Sequence, residues 1–120
     1  MKDPRVERGR TAEDAAALWL EEHGWKVLER NVRVRWGEID LVVLKDGCVG
    51  IVEVRSHSGD WLDSALETIN ERKREKLRRL GDWYLERHPR LGPEATFVCV
   101  GVKLDGAGHA SVEEVVEDAF

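Results

Sequence analysis

The stretch Gly37-Glu38-Ile39-Asp40-Leu41-Val42-Val43-Leu44-Lys45-Asp46-Gly47-Cys48-Val49-Gly50-Ile51-Val52-Glu53-Val54-Arg55 decides how this chain is read. Two apolar runs meet at Asp46-Gly47, the dipeptide of a two-residue type I′ turn, so the segment reads as a β-hairpin. In that register the numbers of opposed residues add to 93. Asp40 then faces Glu53, and Glu38 faces Arg55. Opposed side chains share one face of the ladder, with Cβ atoms about 4.5–5.5 Å apart. Two carboxylates about 5 Å apart repel by roughly 3 kcal/mol at an effective dielectric near 20. Acids placed so close at the end of an apolar hairpin call for a cation.

Working outward, the hairpin is taken as Arg33 to Leu44 and Cys48 to Arg55, apolar on both faces in its inner section, as in a central strand covered on both sides. Before it, Trp25 to Arg30 reads as a short strand. A helix precedes that and ends near residue 23, with Gly24 as its C-cap. Its start has two readings: Thr11 with Asp14 resembles a capping box, and Asp3-Pro4 would open the helix a turn or two earlier. Ala12, Ala15, Ala16, Trp19 and His23 trace its apolar stripe.

After the hairpin, Ser56 to Asp63 is a polar loop. A long helix follows over about Asn70 to His88, stopped by Pro89, with Lys73, Leu77, Leu80, Tyr84 and Leu85 at helical spacing. Gly81 inside it costs about 1 kcal/mol and so implies close packing. Ala95 to Leu104 is a β-rich run, Asp105 to Gly108 a turn, and Ala110 to Val116 a last strand or short helix. The order α, three strands, α, one or two strands predicts an α/β domain over 1–120, with a central mixed sheet flanked by helices.

The chain has 120 residues, 42% hydrophobic and 36% charged, which suits a folded globular protein and excludes a disordered one. No apolar run reaches the roughly 18 residues of a membrane span. The charged N-terminus lacks a signal-peptide core. Cys48 and Cys99 carry no metal-ligand spacing and read as reduced core residues of a cytoplasmic protein. A net charge of −5 argues against indiscriminate nucleic-acid binding by the whole surface. Yet Asn70 to Leu80 carries six cations against two acids, and Arg30, Arg33 and Arg35 form a second basic cluster. Such a stripe is either a confined phosphate-binding surface or a solvated helix face rich in ion pairs.

Asp40 and Glu53 are the candidate ligands of Mg²⁺ or Mn²⁺, since hard divalent ions take carboxylate oxygens, water and phosphate. Arg55, two residues beyond Glu53 on the same face, would set positive charge against phosphate oxygens. In the plainer reading, Arg55 only neutralises Glu38 and Asp40 at the strand end.

Gly9, Glu13, Ala16, Gly24, Asn31, the Gly-Glu-Ile-Asp of 37–40, the Glu-Val-Arg of 53–55 and Lys73 together resemble the YraN-like family. These small bacterial proteins are assigned to the PD-(D/E)xK superfamily of restriction-endonuclease-like nucleases. The likeness spans roughly residues 8 to 104 and extends to archaeal Holliday-junction resolvases. It implies a restriction-endonuclease-like fold, metal ligation by Asp40 and Glu53, and a further acid, Glu13, reaching the metal through water. Relatives usually have Lys at the position of Arg55, and Arg-Phe-Asp where this chain has Thr96-Phe97-Val98. Arginine keeps its charge, so it stabilises a phosphate but cannot serve as a base. Lys73 is the candidate replacement ammonium.

The expected partner is DNA or RNA, with branched or structured forms among the candidates. Arg35, Trp36, His57, Arg72 and Lys76 are the candidate contacts, and Trp36 and Trp61 would stack on unpaired bases. Trp19, Trp25 and Trp83 read as core. No membrane partner is expected. A homodimer is one expected state, because nucleases of this superfamily often pair. The expected activity is metal-dependent phosphodiester hydrolysis. The rivals are a catalytically inactive nucleic-acid-binding module and a structural or adaptor protein on the same fold.

Overall fold

The computed structural model describes residues 4–59 and 64–120. At its centre Asp46 and Gly47 take φ values of +51° and +77°, the double positive φ that a type I′ turn demands. The turn joins β2 (Gly37–Lys45) to β3 (Cys48–His57). Their antiparallel ladder runs from Lys45↔Cys48 to Leu41↔Val52, the register read from the sequence. Backbone pairing stops there, one pair short of Asp40 and Glu53. Glu38 therefore does not face Arg55. It pairs across to Arg33 on β1 (Lys26–Val34), because β2 at that point is held by β1 alone.

β1 corrects a second expectation. Residues 25–30 and 33–44 are not two separate strands. One strand runs through Asn31 to Val34, turns at Arg35-Trp36 and returns as β2. Asn31 carries the local strain with φ +52°, a left-handed conformation that asparagine tolerates better than most residues. Leu28 is an extra residue in the same strand, bulging where the register shifts between Val27 and Glu29.

The sheet order is β1-β2-β3-β4-β5, with β4 at Ala95–Leu104 and β5 at Ala110–Val116. The residues 110–116 thus form a strand, antiparallel to β4. Only β3 and β4 are parallel, joined by the crossover helix α2 (Glu71–Arg87). β3 keeps pairing as far as His57↔Lys103, so the polar loop starts at Ser58 rather than Ser56. Residues 60–63 of that loop, with Trp61, lie outside the described residues.

α1 (Pro4–Glu22) covers one face of the sheet. Ala12, Ala16, Ala17 and Leu20 pack on Leu41, Val43, Val52, Val98 and Val100. The helix opens at Pro4, so Thr11 is not its cap; Thr11 Oγ1 donates back to the Glu7 carbonyl at 2.8 Å. Gly24, at φ +92°, ends it, and Trp25 N donates to Leu20 O at 2.9 Å across the cap. His23 is exposed and stacks on half-buried Trp19 with ring centroids 3.6 Å apart.

α2 covers the other face, where Leu77, Leu80, Tyr84 and Leu85 meet Ile39, Val42, Val49, Ile51 and Cys99. Asn70 caps it, its side chain accepting from Lys73 N at 2.9 Å. The result is a five-stranded mixed sheet between helices, in the order α-β-β-β-α-β-β expected from the sequence. Cys99 is buried as expected, but Cys48 sits exposed beside the hairpin turn; both thiols are free. Trp25 is buried in the core on the α1 side, and Trp83, on α2 itself, is half-buried against the core of the other face.

Gly81 lets α2 lie close on the sheet. A Cβ there would come within 3.3 Å of the Phe97 ring, which is itself stacked on Phe120, and 3.5 Å of Ile51 Cγ1. Gly81→Val should lower stability by about 1–3 kcal/mol through overpacking. Urea unfolding measures it; a midpoint equal to the wild type's would contradict this packing.

Candidate metal centre

Where the β2–β3 ladder ends, a side chain takes over from the backbone. Asp40 Oδ2 accepts the Val54 N–H at 2.8 Å. This fixes Asp40 beside Glu53, the one buried charged residue among those described. The pair has too few countercharges for two ionised groups. The Asp40 carboxyl is pushed up from its ordinary 3.8 to about 9, first by burial, then by the charge of Glu53 and a proton shared with it. The Val54 N–H offsets part of this.

Two further acids join Asp40 on the α1 side. One oxygen each from Glu13, Glu38 and Asp40 lies within 4.8 Å of the other two. Glu13 comes from α1 and is pushed up as well, by burial and then by Glu38. Asn31 binds the two together. With its amide nitrogen turned toward them, it donates to Glu13 Oε1 at 2.8 Å and to Glu38 Oε1 at 2.9 Å. Arg33 Nε lies 3.4 Å from Glu38 Oε1. The acids line a pocket of about 290 Å³ with Gly9, Arg10, Val54 and Ser56 among its walls.

Glu53 turns the other way, toward α2. Its Oε2 lies 3.3 Å from Lys73 Nζ, in ion-pair range. That oxygen is sealed from solvent and makes no hydrogen bond. The three clustered carboxylates of Glu13, Glu38 and Asp40 are a donor set that fits a hard divalent cation, while Glu53, beside Asp40, aims this oxygen at Lys73.

The structure therefore brings Glu13, Asp40, Glu53 and Lys73 together. It adds Glu38 and Asn31, which the spacing did not mark as ligand and clamp. Arg55 goes elsewhere. Its Nε donates to Thr68 Oγ1 at 2.9 Å and its Nη2 to Thr68 O at 3.0 Å, tying β3 to the short turn Leu66–Thr68. His57 Nε2 lies 3.8 Å from Glu113 Oε2 on β5. Trp36, Arg72 and Lys76 line a common groove with Glu75 and Arg79. Arg35 is exposed in the turn beside it.

The raised Asp40 pKa sets a pH test. A folded-state value above the unfolded one stabilises the fold below the unfolded pKa, and that contribution is lost as pH rises through the folded value. In EDTA, the melting temperature of Asp40→Asn relative to wild type should therefore climb between about pH 4 and pH 9. A difference that stays flat across that window would contradict the burial and pairing of this carboxyl.

The chain matches the family described as Uncharacterised protein family UPF0102 over residues 12–114, a span that holds every acid of the cluster. It is similar to the UPF0102 protein of Pelotomaculum thermopropionicum, 38% identical over 120 residues and 100% of both chains. The UPF0102 protein of Moorella thermoacetica is 37% identical over 116 residues, 97% of each chain. A UPF0102 protein of Bifidobacterium longum is 41% identical over 114 residues, covering 93% of this chain and 91% of its own. The chain belongs to the UPF0102 family, the YraN-like group that its motifs resemble.

Proposed function

We propose that this protein is a divalent-metal-dependent nuclease, hydrolysing phosphodiester bonds in DNA or RNA. The observation that carries the reading is the convergence of Glu13, Glu38 and Asp40 in one pocket, with Glu53 beside Asp40. Mg²⁺ or Mn²⁺ held by these carboxylates would supply neutralisation of phosphate charge and an activated water. Without a cation the pocket repels a phosphodiester, so substrate binding at the acids depends on the ion.

The chain's own residues have separable tasks. Asn31 bridges Glu13 and Glu38 and holds them at fixed positions. The Val54 N–H orients Asp40. Lys73 brings an ammonium to Glu53 from α2. In this reading its charge would stand in for that of the strand lysine usual in the superfamily. Arg55, held on Thr68 and always charged, has no part as a base.

Two observations favour a second reading, a catalytically inactive nucleic-acid-binding module. Arg55 is committed to Thr68, and Val98 lies in the core where relatives carry an acid. Cleavage separates the two. Purified protein with Mn²⁺ should nick a panel of single-stranded, duplex and branched DNA and RNA, and Asp40→Ala should reduce the rate at least about a hundredfold. Equal cleavage by wild type and variant would reject the nuclease reading. Binding without cleavage, and without heat of Mn²⁺ binding by calorimetry, would establish the inactive module.

A further inference from the structure

Trp36 is a large side chain in the wrong place for a folding role. It is 43% exposed, in the Arg35-Trp36 turn, and with Leu18 it makes up the large exposed hydrophobics among the described residues. The turn is drawn onto α2 by the next residue. A Cβ at Gly37 would lie 3.0 Å from Leu80 Cδ1 and 3.4 Å from Lys76 Cδ, so glycine lets the turn lie close on the helix side chains.

The helix face it meets is basic. Trp36, Arg72, Glu75, Lys76 and Arg79 line a groove of about 730 Å³. The other cations of α2 are already engaged. Arg74 donates to Ile69 O and Leu66 O, Arg78 is paired with Glu71 and Glu75, and Lys73 faces Glu53. Glu75, the single acid of the groove, is held by Arg78 at 3.1 Å and Arg79 at 3.9 Å. Arg72 and Lys76 have no ion-pair partner among the described residues. Residues four apart on a helix are about 6 Å apart along its axis, so these cations form a line. Lys73, three residues from Lys76, lies to one side of that line and faces Glu53, and Trp36 is two residues from Glu38.

We infer that this groove docks an unpaired stretch of nucleic acid, one base stacking on the Trp36 indole and its phosphates lying along Arg72, Lys76 and Arg79. The inference rests on the nucleic-acid reading above and deepens it by naming the substrate class, a single-stranded segment next to the cleaved bond. Stacked bases of a duplex have no free face for the indole, whereas a splayed base does. An acidic peptide would satisfy the cations but leave the indole unused.

The test is fluorescence anisotropy of the full chain in EDTA at low salt. The probes are labelled oligo(dT) and oligo(U) of about twelve nucleotides, with a duplex of equal length and polyglutamate as comparisons. Wild type should bind at least one single strand about tenfold more tightly than duplex. Trp36→Ala should weaken that binding about tenfold, and Trp36→Phe should keep most of it. Oligonucleotide should quench the wild type's indole fluorescence more than that of Trp36→Phe. Arg72→Glu with Lys76→Glu should flatten the slope of log affinity against log salt by about 1.4, two single-strand phosphate contacts.

Trp36→Ala binding as wild type, polyglutamate competing as well as oligonucleotide, or no binding to either strand would overturn the inference. Because EDTA removes any need for metal, the two proposals fail separately. Trp36-dependent binding without Mn²⁺ cleavage would reject the nuclease reading alone. Cleavage with Trp36-independent binding would reject this docking surface alone.

Discussion

The structure turns on the place where the β2–β3 ladder stops at Leu41↔Val52 and the Asp40 carboxyl takes the Val54 N–H instead. A backbone donor in a sheet must have a partner. Here the partner is an acid, and that choice fixes a carboxyl next to Glu53 in a setting where both cannot easily ionise. The apolar hairpin behind it, buried on both faces, supplies the rigidity that holds the two acids in place.

The two helices then complete the site from opposite sides of the sheet. α1 contributes Glu13 to the pocket, and α2 contributes Lys73 to Glu53. Asn31, in a left-handed conformation within β1, links the α1 acid to the β2 acid. The cluster is costly for an isolated chain and useful for one that meets a cation. Among the described residues, Arg72 and Lys76 lie without ion-pair partners on one face of α2, in a groove with an exposed indole.

Much of this was legible in the sequence, for identifiable reasons. Asp-Gly between two β-branched runs specifies turn and register together, so the nearness of Asp40 and Glu53 followed. Gly24 and Gly81 marked a cap and a close approach because each stands where another residue would be strained or crowded. Other features left no such mark. The Arg35-Trp36 turn has no turn-forming residue of its own, and its tightness comes from Gly37 lying under Leu80. Asn31 looked like a break in a strand, yet it bends the strand without ending it. Arg55 has a long side chain whose partner, Thr68, belongs to a turn that local pattern does not place. Glu38 was assigned a cross-strand partner on β3 because the register was extended past the point where the ladder stops.

The claim beneath all of this is that Glu13, Glu38 and Asp40 form one site for a divalent ion. Anomalous diffraction from crystals soaked in Mn²⁺ tests it most directly. The account predicts a single strong anomalous peak in the pocket between those three carboxylates, absent from crystals of Asp40→Ala. A map without a peak there at saturating Mn²⁺, or the same peak in the variant, would contradict it.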